Sequence, residues 1–554
     1  MKAPLVLLAA VGLASGAVRA QETHSHSHDE GEELGKVSFP TSCRAEVAAE
    51  FTRAVALLHS FGYEESRRAF ESVASRDPGC AMAYWGVAMT YYHPIWSPPD
   101  PQALAAGRAA VAKAEAAGPR TDRERGYVEA IAVFYRDSET QPHPARARAW
   151  SDALEALSRR FPDDHEATIF YALSLIGTAP PSDATFANQK KAAAILNGLL
   201  PEEPEHPGIA HYMIHAFDYP ALAREALPAA RAYAKIAPSS PHALHMPSHI
   251  FTRLGLWQDS IESNVASADA ARRLVALRRP GAASYDALHA LDYLEYAYLQ
   301  IGDEKRARAV LVEAVEAKTF DEPQFQAGYA LAAIPARWTL ERRDWKAASE
   351  VSLPSASLPW DRFSYSVAIV HFARAVGAAR SGQPARAEEP LDRLQQIQTA
   401  LVASPIPGPY DWASEVEARR LAATAWVAFA QGKKDEALLL ARAAADLEDK
   451  TGKHPVTPGP VLPARELLGD MLLEMGRSGN ALVEYEASLR EAPGRFNSLY
   501  GAARAAERSK NARRARELYE ALLAQCVTGS PRPELAAARR VLAASRAASA
   551  SGPS

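Results

Sequence analysis

A 34-residue period constrains the fold of this chain more than any other feature. HPGIAHYMIHAF (206–217) and SPHALHMPSHIF (240–251) superimpose with Pro207 over Pro241, His211 over His245, His215 over His249 and Phe217 over Phe251. Near the C-terminus the same offset carries Leu468, Gly476, Ala481 and Tyr485 onto Ala502, Lys510, Ala515 and Tyr519. This is the length of a helix–turn–helix unit in an α-solenoid. Such a unit cannot bury its apolar face alone, so stacking on neighbours is obligatory. Within each segment the two histidines are four apart and share one helix face. Stacking the two repeats therefore brings four imidazoles onto one wall.

From Cys43 onward nearly the whole chain reads as helix. Ala/Leu/Glu/Arg stretches carry a 3.6-residue period and are punctuated by Asp-Pro, Ala-Pro or Gly turns. Units begin near Ala45, Cys80, Pro207, Pro241, Tyr285, Gln326, Ser364, Ala418 and Pro463. Residues 401–412 and 450–463 are Pro/Gly-rich, and the first suggests a boundary. The expected organisation is a signal segment over 1–20, a disordered leader over 21–42, an N-terminal solenoid over 43–405, C-terminal repeats over 406–540 and a disordered tail over 541–554. The signal segment rests on Lys2, the apolar run 3–15 and Val18-Arg19-Ala20, with cleavage before Gln21. It implies a periplasmic or secreted chain. No later stretch is apolar for long enough to span a bilayer, so the mature chain is expected not to insert into a membrane.

An exported chain meets an oxidising compartment. Cys43 and Cys80 are about one repeat apart and so are neighbours in a solenoid. A disulfide between them is expected to cap the N-terminal end, leaving Cys526 free. The net charge of −4 over 554 residues, with no basic tract, argues against a nucleic-acid partner.

The chain resembles the tetratricopeptide-repeat (TPR) superfamily over most of residues 43–525. More narrowly, it resembles exported bacterial TPR proteins in the strings ALLHSFGYEES (56–66), CAMAYWGVAM (80–89), HPGIAHYMIHAFDYP (206–220) and HALHMPSHIFTRLGLW (242–257). The resemblance implies an all-α, right-handed superhelix of helix–turn–helix repeats, and export. For function it implies a protein or peptide ligand on the concave face lined by the first helix of each pair. Pro247 inside a helix departs from the pattern, as does a 13-residue insertion that offsets Gly302 from Gly255 by 47.

The histidines carry the chemistry. His211, His215, His245 and His249 form the expected metal set, because helical H-x3-H spacing lets two imidazoles hold one ion. The 47-residue offset maps His242 to His289, His245 to Asp292 and His249 to Tyr296, and these residues rank next as ligands. His206, Asp218 and Glu295 are candidates to orient the ligands. Imidazole-rich sets suit Zn, Cu or Fe better than hard cations. His24, His26 and His28 form a short metal-scavenging tract, while His59 and His93 read as packing residues. No G-x-S-x-G, phosphate loop or dinucleotide fingerprint occurs. Tyr212 stands where a zinc protease needs its glutamate. The readings left open are a peptide-binding scaffold with a metal site, a metalloenzyme or metal carrier centred on the stacked pairs, and a structural histidine network.

Overall fold

The structure, a computed structural model, describes residues 31–550 apart from Ser97, Pro323 and 355–357. The expected signal segment and the His24, His26 and His28 tract lie outside the described residues. From Ala48 the chain is a succession of helix pairs. Ala48–His59 is followed by Tyr63–Arg76, Pro207–Phe217 by Leu227–Ile236, Tyr285–Gln300 by Glu304–Glu316, and Phe496–Arg508 by Ala512–Gln525, with Pro533–Ala550 closing the array. Among the described residues the strand-like pairing is one isolated bridge between Ala283 and Phe320. The protein is an all-α solenoid of the TPR type.

Local chemistry explains the pairs. Pro207 and Pro241 open their helices at a position whose N–H has no partner to lose. Ser240 and Ser284 cap the following turns by accepting from the N–H groups of Ala243 and Ala287. The turn inside a pair needs a left-handed residue two places before the second helix. Gly255 (φ 68°), Gly302 (φ 68°), Gly432 (φ 81°) and Gly476 (φ 77°) supply it. Arg343 (φ 56°), Lys510 (φ 61°) and Phe61 (φ 54°) stand in the same place without glycine's freedom.

The first helices of successive pairs pack on one another, and the coil is tight enough for them to meet across it as well. Ala48–His59 lies against Pro207–Phe217, and Tyr285–Gln300 against Phe496–Arg508. Every residue of Pro207–Phe217 is buried, and so is every residue from Ala287 to Gln300. Helices buried all round belong to a filled interior. The inner wall at these repeats is therefore packed and does not line an open groove.

Cys43 and Cys80 are joined, with Cα atoms 4.8 Å apart, and Cys526 is a half-buried free thiol. The leader expected to be disordered is in fact laid down from Glu33. Phe39 sits among Phe51, Trp85 and Tyr127, with ring centroids 5.6, 5.2 and 4.9 Å away. The Lys36 N–H donates to the Glu205 carbonyl at 2.9 Å, and Ser42 is held by Glu124. Leu34 and Phe39 supply the apolar anchors that outweigh the polar composition around them. The core does not divide at residue 405: one apolar cluster runs from Tyr329 to Leu542. The last helix runs past 541 to Ala550, with Leu542 buried. No helix among the described residues is long and apolar enough to cross a membrane.

Candidate metal centre

Pro207–Phe217 presents His211 and His215 on one face, and the next repeat faces it. Pro247 has no N–H to give to the turn before it, so that repeat's first helix is written as Pro241–His245 and Pro247–Arg253. Met246 between them keeps helical angles of −54° and −35°, so the phase of His245 and His249 survives.

The imidazoles gather as two triads. His211 Nε2 is 3.0 Å from the Nε2 atoms of both His215 and His242. His245 Nε2 is 3.0 Å from His249 Nε2, and the His289 ring centroid is 4.1 Å from that of His245. The donor atoms of His211, His215 and His242 lie within 4.8 Å of one another, as do those of His245, His249 and His289. Metal–imidazole bonds of about 2.0–2.1 Å place two donors on one ion roughly 2.9–3.4 Å apart for angles between square and tetrahedral. The triads abut: His215 and His249 have ring centroids 6.4 Å apart, no farther than His215 and His242 within one triad. His211 is fully buried, His215 and His289 are each 8 % exposed, and His242 is half-buried, so the cluster reaches solvent by a narrow edge.

The neighbours fix which nitrogen carries the proton. His211 Nδ1 lies 2.6 Å from the His59 carbonyl, which can only accept, so Nδ1 bears the hydrogen and Nε2 a lone pair. The Asn264 amide nitrogen donates to the Ser260 carbonyl at 2.8 Å, which turns its Oδ1 toward His245 Nδ1 at 2.6 Å. His249 Nδ1 donates to Asp218 Oδ2 at 3.0 Å. Both imidazoles of the 245/249 pair therefore spend their hydrogen on the outer side. Two Nε2 lone pairs then face each other at hydrogen-bond distance, with the Tyr293 hydroxyl 3.3 Å from the one on His249, an arrangement that a shared cation satisfies. Outer Nδ1–H bonds to a carboxylate, an amide and a carbonyl are how proteins orient metal-binding histidines.

Electrostatics agree. Burial holds His211, His215, His242, His245 and His289 well below the usual imidazole range, and neighbouring histidines push the same way. Burial also lowers His249, with Asp218 pulling back. Burial alone would raise the Asp218 carboxyl, but Lys453 and Arg253 hold it well below its usual value. Lys453 Nζ lies 3.1 Å from Asp218, and burial beside Arg253 lowers it to about 8. The imidazoles are neutral, as metal ligands must be.

Several sequence-derived candidates lie elsewhere. Asp292 and Glu295 are ion-paired with the fully buried Arg337, at 2.6 and 3.2 Å. A carboxylate buried at this depth needs a cation, and Arg337 from Phe325–Glu341 supplies it. The Tyr296 hydroxyl accepts from Arg495 at 3.4 Å, in the network that joins Arg495 to Glu341 and Glu466. His206 binds Glu166 at 3.1 Å and touches none of the six imidazoles through a hydrogen bond. Asp218 is where the sequence put it, behind His249. His242 and His289, ranked second from sequence, complete the triads.

His59, Glu166 and His206 form a third titratable group, but its hydrogen bonds are complete without an ion. His59 Nε2 meets Glu166 at 2.8 Å, its Nδ1 meets the Tyr212 hydroxyl at 2.9 Å, and His206 Nδ1 accepts from the Gly208 N–H. This network positions the His59 carbonyl that holds His211. Sequence reasoning also missed Asn264, Tyr293 (hydroxyl 3.3 Å from His249 Nε2) and Phe61. Asn264 was legible: it falls on the apolar stripe of Trp257–Arg278, between Ile261 and Ala268, where a polar side chain needs a partner. Phe61 was legible as the residue standing where other repeats carry glycine. Its ring lies 4.3, 5.5 and 5.7 Å from those of His211, His215 and His242.

Fold and site together define an all-α TPR-type solenoid with two abutting triads of buried histidines. No family model matches the chain, and no curated protein matches it. Solved structures overlap it loosely. Human IFIT1 as a dimer with m7Gppp-AAAA gives a TM-score of 0.37 at 12 % identity, over 80 % of this chain and 89 % of that one. Yeast Tom70 gives 0.33 at 10 % identity, over 90 % and 96 %. Naa15/Naa10 bound to HypK-THB gives 0.26 at 11 % identity, over 90 % and 92 %.

Proposed function

We propose that this is an exported metalloprotein whose solenoid holds transition-metal ions between stacked repeats, with His211, His215 and His242 as one ligand set and His245, His249 and His289 as the other. One observation carries the reading: the outer hydrogen bonds of His245 and His249 leave two lone pairs facing each other at 3.0 Å. The Tyr293 hydroxyl, 3.3 Å from His249 Nε2, can donate to that nitrogen, and the His245–His249 contact itself is left without a hydrogen. Three neutral imidazoles per set also leave a coordination position open, as in sites where a metal does chemistry. Protein or peptide binding is supported by the solenoid fold alone. The inner wall around the histidines is packed, so no peptide is placed there.

The test is elemental analysis of the mature chain, untagged and lacking His24, His26 and His28. Near-stoichiometric metal that disappears in His211→Ala/His245→Ala supports the reading. A folded chain that carries none and takes up no zinc, copper or iron refutes it.

A further inference from the structure

Resting on that reading, we propose that the metal is a pair of copper ions, one per triad, and that the pair binds dioxygen.

Charge selects copper. Each triad offers three neutral imidazoles and neither a carboxylate nor a thiolate. The nearest carboxylate, Asp218, is spent on Lys453, Arg253 and His249, and Asp292 and Glu295 are spent on Arg337. Two divalent ions would place four positive charges in a buried site with no anion to meet them, and each carries a heavy desolvation penalty. Two cuprous ions place half that charge, and imidazole is a ligand that suits copper. Three-coordinate Cu(I) is also content without a fourth, anionic ligand, whereas zinc would recruit one.

Geometry selects dioxygen. The triads abut through His215, His242, His245 and His249, with ring centroids of 6.4 Å for His215–His249 and 6.5 Å for His242–His245. The proposal places the open coordination position of each ion on the side where the triads abut. Reducing dioxygen to peroxide takes two electrons, one from each Cu(I). The products are two Cu(II) ions and one bridging peroxide dianion, with the O–O bond kept and no proton or outside reductant required. Loss of dioxygen returns one electron to each copper. The wall beside the first triad is apolar and aromatic. Phe61 covers His211, and Trp96 stands 5.7 Å from His242. Such a wall admits a small apolar molecule and keeps out the water that would protonate and release peroxide. Phe61 reaches this place only by holding a left-handed φ of 54°, which glycine would take without strain. Backbone strain of this kind concentrates at functional sites.

The experiment loads the metal-free, disulfide-intact full mature chain with Cu(I) under anaerobic conditions, counts copper by elemental analysis, then admits dioxygen. The expected result is two copper ions per chain. Dioxygen should then raise a near-ultraviolet peroxide-to-copper(II) charge-transfer band, with no electron paramagnetic resonance signal because the two Cu(II) spins couple, and both changes should reverse under vacuum. His215→Ala and His289→Ala, each at the solvent edge and checked for native circular dichroism, should each keep one copper and lose the band. One copper per chain in the parent protein, isolated Cu(II) resonances without the band, a band that survives in either variant, or uptake of zinc with refusal of Cu(I) overturns the copper pair and leaves the metal reading standing. Failure to hold zinc, copper or iron at all overturns both.

Discussion

Replacing Asn264 by leucine tests the tautomer argument at its centre. In the parent protein Asn264 Oδ1 takes the His245 Nδ1 hydrogen at 2.6 Å, and that bond leaves His245 Nε2 bare toward His249 Nε2 at 3.0 Å. Leucine has the same branching and number of heavy atoms and accepts nothing. The His245 Nδ1–H would then be a buried donor without a partner, at a cost of about 1–3 kcal/mol. The imidazole escapes that cost by moving its hydrogen to Nε2 and donating it to His249. A metal ion at Nε2 must now send this hydrogen back to Nδ1, where it has no acceptor, so the affinity of the His245/His249/His289 set should fall 10–100-fold, about 1.4–2.7 kcal/mol. The His211/His215/His242 set, whose orienting acceptor is the His59 carbonyl, should keep its affinity. Competitive titration against a chromophoric chelator reads the affinities of both sets. Asn264→Asp, which keeps the acceptor, should restore the tight step. Equal affinities in parent and Asn264→Leu, or an equal loss at both sets, would refute the reasoning.

The metal-free protein should lose stability as pH falls below about 6.5. Burial lowers the folded-state pKa of the triad histidines, so the unfolded chain takes up protons first, and denaturant midpoints should drop steeply through that window; metal loading should raise the midpoints while leaving the pH dependence at least as steep, because a metal-bound imidazole takes up no proton. Arg337→Met should destabilise the fold by about 3–5 kcal/mol, because Asp292 and Glu295 lose their buried cation. Metal content should be unchanged in whatever fraction folds, and parallel chemical denaturation and elemental analysis would expose a ligand role if metal were lost instead. Cys43→Ser should cost about 2–4 kcal/mol, the range for a crosslink closing a loop of this length, with hydrogen exchange rising first in residues 33–76. Unchanged exchange there would show that the strap and first repeat do not depend on the crosslink.

Much of the fold was legible. Period, proline at helix starts and glycine before second helices are local signals that act within one repeat, so the succession of helix pairs follows from them. The Cys43–Cys80 pairing was readable for the same reason, since it links neighbouring repeats. The strap at Leu34 and Phe39 was less so. Its anchors lie in a short extended segment without periodicity, and their value comes from Phe51, Trp85 and Tyr127, which only the coil brings together.

Helix pitch and repeat length are enough to put His211 and His215 on one face, His245 and His249 on another, and the two faces side by side. That His242 belongs with the first pair and His289 with the second emerges only once the superhelix is closed. The 47-residue offset placed Asp292 and Tyr296 in the same row as His289, yet arginines from other repeats claim both. Tertiary structure also decided the tautomers, through acceptors as remote in sequence as the His59 carbonyl and as unmarked as Lys453 behind Asp218. The physical reason is range. Hydrogen bonds along a helix are fixed by residues a few places apart, whereas a buried charge or lone pair answers to whatever the superhelix lays against it.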